Sequence, residues 1–229
     1  MGWTTLGDYL QFLMLGAYPR GPLGGLALTI YLSVAAGLSS FGVGLLGGLA
    51  RNSSRKYLRV PATIYVEVIR GIPFIMVLFW FYFLVPRILQ HTITENTAAF
   101  VGITFFFGAY ATEIVRAGIL SVDKGQVEAG LSSGLFDWQV MLFIILPQAL
   151  RNMIPSFVNQ LVSLIKDTSL AFIVGVAELT HVATQVNNRT MVYPAQIFLF
   201  IAIIYFILCF MLTSYSRYLE QKLAYRKAI

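Results

Sequence analysis

Residues 159–169 read NQLVSLIKDTS, which puts Asn159, Gln160, Ser163, Lys166, Asp167, Thr168 and Ser169 inside an otherwise apolar stretch. Amides, hydroxyls and one charge of each sign in apolar surroundings suit a site that passes a small polar molecule through lipid, or a buried polar network. Both readings stand on these residues alone. Two more groups combine charges at helical spacing: Glu67 with Arg70 in VEVIRGIP, and Glu113 with Arg116 in YATEIVRAG. Residues three apart share a helix face, so each pair can neutralise itself as a structural ion pair or snorkelling couple, or turn its charges to a ligand.

Nothing in the chain supplies an energy source or a catalyst. No stretch fits the phosphate-loop pattern GxxxxGK(S/T), the zinc-protease pattern HExxH or the nucleophile elbow GxSxG. His91 and His181 fall in two separate expected loops on the external side. The single Cys209 lies in the last apolar block, which excludes a disulfide framework or a thiolate metal site and suits a small buried residue. Uphill movement of a solute would have to draw on an ion gradient or on a partner.

The elements that must hold these polar groups are membrane helices. Of 229 residues 58% are hydrophobic and 11% charged, far from the roughly 25% charged of soluble domains. Apolar blocks near the about 20 residues that cross a hydrocarbon core recur along the chain. We expect an all-α membrane protein of about five spans: 23–50, 60–85, 98–120, a discontinuous fourth within 138–178, and 193–215. The fourth is expected to break at KDTS, because 138–147 is too short to cross and 154–178 is interrupted by charge. Ala36, Ser40, Gly44 and Gly48 repeat every fourth residue of the first span and form a small-residue face, for close packing or for a dimer seam. At the N-terminus Asp8 and the lack of a basic region argue against a cleaved signal, and Trp3, Leu6, Tyr9 or Leu10, and Leu13 suit a short interfacial helix.

The basic residues orient the spans. With the N-terminus outside, Arg51, Arg55, Lys56, Arg59, Arg116, Lys124, Arg151, Arg217, Lys222, Arg226 and Lys227 face the cytoplasm, against Arg20, Arg87 and Arg189 outside. The net charge of +6 is thereby used in anchoring, and no basic soluble domain remains for nucleic acid. Residues 121–147 become a cytoplasmic loop. Ser121 and Asp123 suit a helix start, 124–133 a short helix, Gly134 its left-handed end and Asp137 the cap of a second helix.

Within that loop Glu128, Ala129, Gly134, Leu146 and Pro147 resemble the EAA motif of ATP-binding cassette importer permeases. VEVIRGIPF, AYATEIVRAGILSV, KGQVEAGLSSG, ILPQALRNMIP, NQLVSLIKDTSL and VGVAELT follow in the order of the polar-amino-acid group of these permeases. Gly130 departs from the motif, where a second alanine is usual, and by helix propensity it costs about 1 kcal/mol. The resemblance implies the MetI-like five-helix core and a second permease subunit, with a related heterodimer partner favoured over a copy of this chain. It also implies two ATP-binding subunits, an external substrate-binding protein and a bacterial inner-membrane location. ATP and magnesium would be bound by the partner ATPase and no cofactor by this chain, which would not itself be an enzyme. Glu128 would then face a basic residue of the ATPase, Ala129 permit close approach and Gly134 make the turn. Residues 1–21 would be an interfacial segment, 22–219 the permease domain and 220–229 a cytoplasmic tail.

Two rivals are weaker. A secondary carrier or channel lacks a visible second, inverted half and leaves the motif loop unexplained, and an intramembrane enzyme lacks a nucleophile, base or metal constellation. WFYFLVPRILQ and YPRGPLGGLALTIYLS resemble members that handle acidic or broad sets of polar amino acids, so glutamate, aspartate and their amides are the expected cargo.

Overall fold

The computed structural model describes residues 2–191 and 194–227, with side chains apart from those of 2–6, 8 and 224–227. The side chains of Trp3, Leu6, Asp8, Arg226 and Lys227, and a fifth span starting at 193, lie outside what is described. Among those described the fold is helical throughout. It comprises α1 (Gly2–Leu15), α2 (Gly25–Asn52), α3 (Lys56–Arg70), α4 (Phe74–Phe79), α5 (Val85–Leu89), α6 (Glu95–Leu120) and α7 (Lys124–Ser132). A single turn α8 (Asp137–Gln139), α9 (Leu146–Thr168), α10 (Leu179–Thr190) and α11 (Pro194–Lys227) complete it. Four helices are long and apolar enough to cross a membrane, or five if the bent pair α3 and α4–α5 counts as one span.

The centre is the seam of α2 and α6. Gly44 and Gly48 have no side chain because Ala111 and Val115 of α6 occupy that space, and Ala36 and Ser40 are buried on the same stripe. The small-residue face is therefore packing within one chain. Hydroxyls in this apolar seam are satisfied locally: Ser33 donates to the Thr29 carbonyl at 2.7 Å, Ser40 to Gly37 at 2.8 Å and Thr112 to Gly108 at 2.8 Å. Burial ranks the helices, since 61% of the α6 span is buried inside the chain and only 11% of the α11 span. The apolar outer face of α11, with Phe206 and Phe210 stacked 5.7 Å apart, is left for lipid.

One expectation is sharpened and one corrected. The second span, whose sequence is interrupted by glycine and proline, bends there: α3 and the segment Phe74–Leu89 meet at 109°, across Gly71, Ile72 and Pro73. Proline has no N–H to continue the ladder and pushes Ile72 out of helical dihedrals. The fourth span, conversely, does not break at KDTS. It is one helical run of 38 residues, Asp137–Val174, wide-turned (π) over Val140–Ile145 and tightened to 3₁₀ over Ser169–Val174. Thr168 and Ser169 turn their hydroxyls back to the Ile165 and Lys166 carbonyls at 2.7 and 2.6 Å, which tightens the helix end instead of interrupting it. The loop's second helix is accordingly the base of this run. Phe136, not Asp137, is its cap residue, and the Phe136 N–H donates to the Gln139 side chain at 2.9 Å.

Candidate functional site

A helix places residues 152, 156, 159, 160, 163 and 167 on one side, and α9 turns Asn152, Ser156, Asn159, Gln160, Ser163 and Asp167 into one groove of about 970 Å³. Arg70, Phe74, Phe106, Phe107, Tyr110 and Glu113 line its other walls. The expected polar run is thus divided. Asn159, Gln160, Ser163 and Asp167 reach the groove, whereas Lys166 is exposed elsewhere on α9 and Thr168 and Ser169 bond to their own helix. Gln160 is fixed by its Nε2, which donates to the Phe107 carbonyl at 2.8 Å. Asn152 and Ser156 went unnoticed in the sequence, although the same 3.6 period run backwards from Asn159 and Gln160 reaches both.

Of the two expected charge pairs, Glu113 with Arg116 forms and Glu67 with Arg70 does not. Glu67 does not meet Arg70; its carboxylate accepts from Arg51 Nη2 at 2.8 Å, and Arg51 Nη1 donates to Glu113. Arg116 adds Nε and Nη2 to Glu113 at 3.0 and 2.7 Å. An exposed pair three residues apart contributes only a few tenths of a kcal/mol, so a guanidinium forked between carboxylates of two other helices prevails. Arg70 is released. As the last residue of α3 it swings into the groove, with its guanidinium carbon 5.2 Å from the centre of the Tyr110 ring.

At the opposite end of the bundle, Glu178 is fully buried, a residue the sequence reading passed over. Its carboxylate accepts from the N–H groups of Thr180 and His181 at 2.9 and 2.8 Å, capping α10, and from the Tyr205 hydroxyl of α11 at 2.9 Å. Burial pushes its pKa from 4.5 up to about 7, against the pull of these donors. Leu179 N–H donates to Thr29 of α2 at 3.1 Å, so three helices meet here. His181 is therefore in helix α10, not in a loop, with its Nε2 3.0 Å from Gln185. Among the described residues no cluster of histidine, cysteine and carboxylates could hold a metal.

The loop of the motif is built around α7. Asp123 caps it by accepting the Gly125 N–H at 2.7 Å, and Gly134 takes φ +83° with open space about it, so conformation alone demands glycine there. Glu128 and Ala129 are exposed. Leu146 and Pro147 sit in the first turn of α9, not in the loop. Gly130 has a use that helix propensity hides. It is buried, and a methyl group there would lie 2.7 Å from Ile144 and 3.0 Å from Val140, so its bareness seats α7 against the wide turn below α9. Asn152 Nδ2 donating to Ser121 Oγ at 2.9 Å ties the same base to the end of α6.

This arrangement has known relatives. The probable glutamine ABC transporter permease protein GlnP of Bacillus subtilis (strain 168) is 38% identical over 90% of this chain and 97% of its own length. The glutamate/aspartate import permease protein GltK of Escherichia coli O157:H7 is 34% identical over 97% of this chain and 98% of its own. A solved amino acid ABC transporter with histidines superposes with a TM-score of 0.80 at 31% identity, over 86% of this chain and 92% of the other. The MetNI methionine ABC transporter in an inward-facing conformation shares the fold, at TM-score 0.72 and 21% identity. With residues 40–225 matching its defining pattern, the chain belongs to the family of binding-protein-dependent transport system inner membrane components.

Proposed function

We propose that this protein is the membrane-spanning subunit of an ATP-driven amino-acid importer and that the α9 groove is its path for polar amino acids. The observation that carries the reading is the groove itself. A wall of amides and hydroxyls faces an arginine free of any ion pair among the described residues, in a helix bundle made for lipid. Arg70 suits an α-carboxylate, and Asp167 with the α9 amides suits an α-ammonium. Relatives named for glutamine and for glutamate and aspartate support the same class of cargo.

The partners follow from the family: a second permease subunit, two ATP-binding subunits and an external binding protein. The basic residues favour the N-terminus outside, which puts α7 in the cytoplasm. Exposed Glu128 and Ala129 then present α7 to an ATPase, and closure of the ATPase pair rocks the spans. The test is reconstitution of the complete complex in vesicles, measuring uptake and ATP hydrolysis with and without loaded binding protein. Arg70→Gln should assemble normally and lose at least tenfold in uptake. Gly134→Val, strained by about 1–2 kcal/mol in its left-handed turn, should insert normally yet lose both stimulation and uptake. Wild-type uptake in Arg70→Gln would remove the groove from the path, and wild-type stimulation in Gly134→Val would remove the loop from coupling.

A further inference from the structure

We propose that the groove favours amino acids whose side chains are neutral and polar over those with acidic side chains, an inference that rests on the groove being the substrate path. Three charged residues line it: Arg70, Glu113 and Asp167. Glu113 is already committed, held by Arg51 from one side and Arg116 from the other. Neither Arg70 nor Asp167 has an ion-pair partner among the described residues. The groove therefore offers one cation and one anion, and their formal charges cancel.

The backbone of any α-amino acid brings a carboxylate and an ammonium, which match these two groups one to one. What remains for the side chain is Asn152, Ser156, Asn159, Gln160 and Ser163, all neutral, each with both a donor and an acceptor. A carboxamide or hydroxyl can exchange hydrogen bonds with that wall. A second carboxylate would find no uncommitted cation among the lining residues once Arg70 holds the α-carboxylate. The nearest candidate cation in sequence, Lys166, is not among the lining residues and projects from another side of α9. Pairing with a second copy of this chain would add a further cancelling set and preserve the balance. Of the expected cargo, the amides fit and glutamate and aspartate do not.

The experiment is competition for labelled glutamine bound to the purified complex of this permease with its partner permease and ATPases. Leaving out the external binding protein ensures that only the membrane site is read. Unlabelled glutamine, asparagine and serine should displace the label, and glutamate and aspartate should need at least tenfold higher concentration. Ser163→Lys, which adds a cation to the wall, should narrow that gap at least tenfold, and Ser156→Lys serves the same purpose if the first variant does not assemble. Equal or stronger displacement by glutamate in the wild type overturns the inference while leaving the path in place. Preference unmoved by either lysine also overturns it. Absence of amino-acid binding in a complex that hydrolyses ATP overturns the path assignment itself.

Discussion

The two ends of the helix bundle each hold glutamates, and they hold them in opposite ways. At the α7 end, Arg51, Glu67, Glu113 and Arg116 link three helices through shared ion pairs, and the cluster is graded in exposure from 11% at the Arg51 side chain to 68% at that of Glu67. At the α10 end, Glu178 is fully buried and among the described residues meets no cation, only backbone N–H groups and a tyrosine hydroxyl. A guanidinium shared between two carboxylates can lose one and keep the other, so the first end can loosen stepwise. The second is a closed shell of directional bonds and opens all at once. If the spans rock as proposed, the first arrangement suits an end where helices part and the second an end where they stay together.

The sharpest way to break this contrast is charge reversal. Arg51→Glu gathers three carboxylates at one point, and a buried charge left without its partner costs about 3–5 kcal/mol. We expect little folded protein, with partial recovery in Arg51→Glu/Glu113→Arg; a thermal unfolding midpoint like the wild type in the single variant would show that the cluster is ornamental. Next in size is the pH response of the α10 end. The folded pKa of Glu178 lies above its usual 4.5, at about 7, so its contribution is complete below about pH 4.5 and is lost as pH rises through about 7. A shift of that size corresponds to about 3 kcal/mol, read as the difference between wild type and Glu178→Gln, which should lack this slope when both are unfolded between pH 4.5 and 8. Parallel curves would mean that Glu178 does not titrate in this range.

Smaller effects locate the contrast. Tyr205→Phe removes one hydrogen bond from Glu178, about 1 kcal/mol, and amide exchange should quicken in α10 while α7 is unchanged. Equal quickening at both ends would merge the two regions into one. Least of all, Glu67→Gln should cost about 0.5 kcal/mol at low salt and nothing at 1 M, because its carboxylate is exposed and screened. A salt-independent loss would place Glu67 deeper in the cluster than its exposure indicates.

What the sequence disclosed, and what it hid, divides by distance along the chain. The spans, the small-residue stripe, the Asp123 cap and the left-handed Gly134 depend on neighbours within a turn or two, and periodicity or capping chemistry exposes them. Arg51 is 62 residues from Glu113, and Glu178 is 27 from Tyr205, so no local pattern could pair them. The polar run misled in a different way. Read as a list it resembled a break in a helix; read at 3.6 residues per turn, half of it is the polar side of an unbroken one. Gly130 misled because propensity scores a glycine by its backbone freedom and is blind to the side chain that fills the space it vacates.

That same glycine decides the mechanics of the loop. A bare backbone pressed on Val140 and Ile144, with the Asn152 to Ser121 bond bracing the far side, leaves α7 little slack relative to the long helix above it. On the proposal that α7 meets the ATPase, a push on α7 would be passed to α9 with little loss. A branched side chain at Gly130 would widen this joint, and under the same proposal hydrolysis would then outrun uptake.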